Sequence, residues 1–167
     1  MPELLRLLRA LLALARASLA PHWRRLTEGD LVLARALQAL RPALAAAGGE
    51  LHSGSLPVVR LDARQLERVF SVLIGNALRH RGTEPPHLHV SARPAGREWL
   101  FAVRDNGAGV DPQRHHAIFS ALSGATELPG CSRIVQRHGG RMWVESARGQ
   151  GATFYFSLPA TREVRDA

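Results

Sequence analysis

Asn76, Arg79 and His80 stand at i, i+3 and i+4, so on one helix all three can face the same ligand. The amide oxygen of Asn76 is a hard ligand of the kind that suits a small divalent cation. In isolation the stretch is equally an amphipathic helix with a polar flank. Asp105-Asn106-Gly107-Ala108-Gly109-Val110 follows an alternating apolar run. A carboxylate at such a strand end, shielded from water, can discriminate between ligands by accepting one hydrogen bond. The glycines would let the backbone approach that ligand closely, although Asp-Asn-Gly is also ordinary turn chemistry. His116-Ala117-Ile118-Phe119 fits a short helix burying two apolar side chains. His87-x-His89 can begin a metal site, but no third ligand is in view.

Apolar spacing indicates the elements that must hold these residues. Leu4, Leu5, Leu8, Leu11, Leu12 and Ala15 recur at helical spacing and predict an amphipathic helix over residues 1–20, with 21–29 as a linker. Its leucine face needs a partner, either the rest of the chain or a second copy. Arg6, Arg9 and Arg16 interrupt the segment, and it is too short to span a bilayer. A second helix is expected from Asp30 as N-cap to Ala47, closed by Gly48-Gly49, with Pro42 kinking it or ending it early. Extended runs follow around residues 50–53 and 56–61.

Asp62 then caps a long helix whose stripe is Leu66, Val69, Phe70, Leu73 and Ala77. Residues 88–92 and 99–103 alternate and join through Pro94-Ala95-Gly96 as a hairpin. Asp111-Pro112 starts a short helix, and an irregular stretch over 120–130 leads to a helix ending at His138-Gly139-Gly140. Strands over 142–147 and 152–158 come before a tail from 161. Antiparallel pairs with helices grouped between them predict an α+β fold. The expected form is a two-layer sandwich over residues 30–160, one mixed sheet with helices on one face.

Four segments, in this order, resemble the nucleotide-binding boxes of the GHKL (Bergerat) superfamily. The resemblance runs over residues 30–159 and is closest to histidine kinases attached to phytochrome-like sensors. Leu66 to His80 resembles the asparagine box, where the residue matching Asn76 ligates the Mg²⁺ that bridges ATP phosphates and Arg79 and His80 lie beside it. Asp105 to Val110 matches the first glycine box, which implies that Asp105 accepts a hydrogen bond from the adenine amino group while Gly107, Gly109 and Val110 shape the base site. His116 to Phe119 resembles the phenylalanine box ahead of the ATP lid, and Leu128 follows in the lid's remnant. Arg133 to Ser146, followed by Gly149-Gln150-Gly151-Ala152-Thr153-Phe154, resembles the family's closing helix and hairpin and is the most specific stretch. It implies that Thr153 touches the adenine pocket. ATP and Mg²⁺ are therefore the expected cofactors.

Departures from the family pattern concern the phosphate end. Val72 stands one turn before Asn76, where the family has a polar residue. Gly124-Ala125-Thr126-Glu127-Leu128-Pro129-Gly130 replaces a glycine-rich run whose N–H groups would meet phosphate at a helix start. Ala125 and Glu127 stand where glycines belong, and Pro129 has no N–H. A phosphoacceptor is missing too: His22, in Pro-His-Trp-Arg-Arg, lacks the following acidic residue, and the segment over 4–19 resembles only the second half of a dimerisation hairpin. These departures predict weak or absent turnover.

Net charge of +8 and a pI near 11.5 invite a nucleic-acid reading. All 22 basic residues are arginine, however, and they are scattered from Arg6 to Arg165 instead of forming a run. The lone Cys131 excludes an internal disulfide and fits a reducing, cytoplasmic location. The leading reading is a histidine-kinase-like domain binding ATP or ADP, paired with itself or a sensor protein through the first helix, with a response regulator as a further partner. The alternative is a non-catalytic dimerising module that regulates a signalling partner. A serine kinase of the anti-sigma type shares the fold, but the string from His138 to Ser146 argues against it.

Overall fold

The computed structural model describes residues 26–120 and 127–161. The leucine-rich first segment, the stretch 121–126 with Gly124, Ala125 and Thr126, and residues 162–167 lie outside the described residues.

Leu26–Glu28 (β1) pairs antiparallel with Val58–Arg60 (β3), within the stretch that the sequence alone reads as linker. Three residues are too few to show a period, and only the partner strand makes them one. Helix α1 spans Gly29–Ala46 and continues past Pro42, which does not end it. Asp30 is not its N-cap. It lies inside the first turn, where its carboxylate accepts the Leu56 N–H at 2.9 Å and ties the helix to the loop before β3. A long-range bond here replaces the local cap.

Helix α2, Ala63–Arg79, starts as expected, with the Asp62 carboxylate accepting the N–H groups of Arg64 and Gln65 at 3.0 and 3.3 Å. Its apolar stripe of Leu66, Val69, Phe70, Leu73 and Ala77 is buried throughout.

The main sheet has five strands in the order β2-β4-β5-β7-β6. These are Glu50–Ser53 (β2), His87–Ala95 (β4), Glu98–Asp105 (β5), Met142–Ser146 (β6) and Ala152–Pro159 (β7). Only β2 and β4 pair in parallel, so the sheet is mixed. Helices α1, α2 and α3 (Leu128–Arg137) cover one face, giving the two-layer α+β sandwich expected. Phe101 and Phe156 stack at 4.6 Å between centroids, and Phe70 of α2 meets both edge-on at 6.3 and 5.9 Å. On the opposite, open face Trp143 stacks on Tyr155, and the Arg141 guanidinium lies 5.1 Å from the Trp143 ring.

Cys131 is buried in α3, and desolvation pushes its thiol pKa up to about 11. Little thiolate exists near neutral pH, and no reagent reaches it without opening the core. The native chain should therefore label slowly with a thiol-reactive chromophore and rapidly in denaturant. Equal rates in the two conditions would contradict this packing.

Candidate functional site

The C-terminal end of α2, the Asp105 end of β5 and the start of β7 meet around a cleft of about 270 Å³. Asn76 and Asp105 both line it, and each is only 8% exposed. They reach it from different layers, the amide from the helix and the carboxylate from the sheet.

Asp105 is held by its own loop. Its Oδ1 accepts the N–H groups of Gly107 at 2.7 Å and Ala152 at 3.2 Å. No described residue donates to its other oxygen, which can accept a donor from the cleft. Burial raises the Asp105 pKa, opposed by the two backbone hydrogen bonds and by nearby His80. Gly107 is buried behind the carboxylate and does not line the cleft. A Cβ there would stand 2.7 Å from the His80 carbonyl oxygen, so glycine lets the loop press against the end of α2. Ala108 completes that junction by donating its N–H to the same carbonyl at 3.0 Å.

Gly109 lines the cleft with φ +73, and a Cβ there would meet the Ala147 carbonyl oxygen. Val110 also lines it, and its N–H donates to the Ser146 hydroxyl at 2.7 Å. Leu128, buried at the start of α3, forms another wall.

Asn76 is a nine-tenths buried polar side chain, and no described residue hydrogen-bonds its amide. Such an orphan aimed into a cleft fits an oxygen ligand for a hard cation. His80 lines the cleft with it, whereas Arg79 is exposed and does not. On a helix, Ala77 and His80 fall to one side of Asn76 and Arg79 to the other, so the expected three-residue set reduces to two. Val72 packs against the core and adds nothing polar.

Thr153 is placed otherwise than the resemblance implies. Asp105 pairs with Ala152 in the β5–β7 ladder and Arg104 with Thr153. Side chains alternate along a strand, so Ala152 and Phe154 face the cleft while Thr153 faces the open side of the sheet. Phe119 lies behind the wall, edge-on to Phe154 at 6.3 Å.

Sequence reasoning missed Arg114, Arg148 and Asp111, all of which line the cleft. Arg148 forms an ion pair with Asp111 across 37 residues, a contact without a local signature. The Gln113 N–H, then Arg148, hold the Asp111 carboxyl below its ordinary pKa. Ala152 and Phe154 were within reach of the strand period, had Asp105 been aligned with its partner.

Beside the cleft wall formed by Leu128, α3 begins with few N–H groups to give. Pro129 has none, while those of Gly130 and Cys131 already donate to the Glu127 carbonyl at 3.0 and 3.2 Å. Glu127 itself makes no capping bond.

A mixed sheet with helices on one face, and a cleft joining an α2 amide to a β5 carboxylate, defines a GHKL-type ATPase sandwich. Residues 61–162 match the family described as histidine kinase-, DNA gyrase B-, and HSP90-like ATPases, and the chain belongs to that family. It is 41% identical over 151 residues to cyanobacterial phytochrome A of Nostoc sp., covering 84% of this chain and 20% of that protein. The chain thus spans about a fifth of the length of that relative. The catalytic domain of histidine kinase ThkA shares the fold, with a TM-score of 0.74 at 20% identity over 83% of this chain and 98% of that one. Full-length ShkA in complex with AMPPNP aligns with a TM-score of 0.70 at 27% identity over 90% of this chain and 36% of that one. No helix among the described residues is long and apolar enough to cross a membrane.

Proposed function

We propose that the chain is the ATP-binding unit of a cytoplasmic two-component sensor histidine kinase, one that holds adenine nucleotides but transfers phosphate weakly or not at all. The observation that carries this reading is the convergence of Asp105 and Asn76 on one cleft. The outward oxygen of Asp105 accepts the adenine amino group, which guanine lacks at that position. Asn76, with His80 beside it, would hold the Mg²⁺ that accompanies the nucleotide. Mg²⁺, when bound, supplies charge neutralisation on the β- and γ-phosphates.

Support for weak transfer comes from the start of α3. Phosphoryl transfer depends on positioned donors and charge around the phosphates, and here Pro129 offers no N–H while those of Gly130 and Cys131 are engaged by the Glu127 carbonyl. Arg114 and Arg148 give the cleft positive charge, but Arg148 is tied to Asp111. A response regulator, and self-pairing through the leucine-rich segment from Leu4 to Leu19, belong to the same proposal.

Calorimetric titration with ATP and ADP, each with and without Mg²⁺, tests the reading. ATP should bind no more than about tenfold tighter than ADP, because the γ-phosphate meets few partners. A strong, Mg²⁺-dependent preference for ATP would overturn the weakened-transfer reading. Failure of both nucleotides to bind would overturn the nucleotide site itself.

A further inference from the structure

We propose that Glu50, His52, His87 and His89 form a second site, for a borderline divalent metal ion such as zinc, on the open face of the sheet. The parallel register sets Glu50 beside His87 and His52 beside His89. Leu51 and Leu88 lie between them and turn the other way, with Leu88 in the core. All four polar side chains therefore stand on one face, two per strand. Neighbouring strands lie about 4.8 Å apart and alternate residues about 6.6 Å apart, within the span imidazoles can close around one ion. The third ligand missing from His87-x-His89 comes from a strand more than thirty residues earlier.

Side-chain positions already approach this arrangement. One oxygen of Glu50, Oε2, lies 3.5 Å from His52 Nε2 and 3.9 Å from His87 Nδ1. Ligand atoms around a tetrahedral zinc, each about 2.0–2.1 Å from the ion, are separated by about 3.3 Å. As they stand, no three of these groups enclose a metal position among the described residues. Closure needs only rotation of exposed side chains: His52 is 73% exposed, Glu50 64% and His87 59%.

Charge and ligand type choose the ion. Arg104 pairs with His89 and lines the same hollow, so its charge opposes the single carboxylate. The attraction must come from neutral imidazole nitrogens, which favour zinc, copper or nickel and offer little to Mg²⁺. The hollow also touches Asn106, whose side chain accepts the His87 N–H at 2.8 Å. The metal site and the Asp105 loop thus share a strand end while facing opposite sides of the sheet.

Zinc titration of the chain without an affinity tag, monitored by calorimetry in the absence of nucleotide, is the test. One zinc per chain is expected, with no heat from Mg²⁺ at this site. Replacing both His52→Ala and His89→Ala should weaken zinc binding by about a hundredfold, since half the ligand set is lost. His116→Ala should leave it unchanged. The pair His52→Gln and His89→Gln, with thermal melts of every variant, guards against a folding defect. Absence of saturable zinc binding, or binding that survives either double substitution, overturns the proposal. Neither result bears on the nucleotide cleft, which is read separately by ATP and ADP.

Discussion

Asp105→Asn is expected to eliminate most adenine-nucleotide affinity while leaving the chain folded and, near neutral pH, more stable than the unsubstituted protein. Both halves follow from how the two carboxylate oxygens are used. The inner oxygen accepts the Gly107 and Ala152 N–H groups, and an amide oxygen can do the same. The outer position would become an NH₂ group facing the adenine amino group, donor against donor. Losing a charge-assisted hydrogen bond and leaving a donor unpaired weakens binding by about 1.5–3 kcal/mol, roughly ten- to hundredfold.

Stability moves the other way because burial raises the Asp105 pKa. A carboxyl that binds its proton more tightly when folded destabilises the fold once ionised. The penalty is absent below the ordinary carboxylate pKa and grows as pH rises through the raised folded value. The melting advantage of Asp105→Asn should therefore shrink as pH falls toward about 4. Melts from pH 3 to 8, paired with ATP titrations at neutral pH, check both halves. Undiminished ATP affinity in the variant would falsify the adenine role of Asp105.

Gly151→Ala is expected to cost about 3 kcal/mol or more of stability. Gly151 has φ +76, and its added Cβ would collide with the Asp105 carbonyl oxygen and stand 3.0 Å from the Asn106 Cα. The left-handed conformation alone costs an alanine about 1–2 kcal/mol. The remainder comes from pushing two backbones apart where Asp105 and Ala152 pair. A melting temperature lower by roughly 6–12 °C follows for a chain of this size.

Gly96→Ala provides the comparison. Its φ is +66, but nothing lies within 4 Å of the added Cβ, so only the conformational part is lost. Should the two variants melt together, close approach of β5 and β7 is not what position 151 protects.

Much of the sandwich was written locally. The stripe from Leu66 to Ala77 has a helical period, Asp62 is a local cap, and two alternating runs form a hairpin, although Pro94 and Ala95 belong to β4 and the turn itself is Gly96-Arg97. Such features need only near neighbours, and they appear where expected. Strand β1 and the role of Asp30 did not, because each is defined by a partner far along the chain.

The site divides along the same line. Residue types and order, taken with the GHKL resemblance, pointed to Asn76, His80, Asp105, Gly109, Val110 and Leu128, all of which the fold brings to one cleft. Position on the helix circumference turned Arg79 away, and the β5–β7 register sent Thr153 to the opposite face in favour of Ala152. The Arg148–Asp111 pair and the grouping of His52 with His89 appear only once distant segments are laid side by side. Sequence by itself determined which backbone and side-chain chemistry was present, since periodicity, caps and turns act over a few residues. Tertiary structure decided which of those groups face one another, because strand register and helix rotation are set by packing across the whole chain.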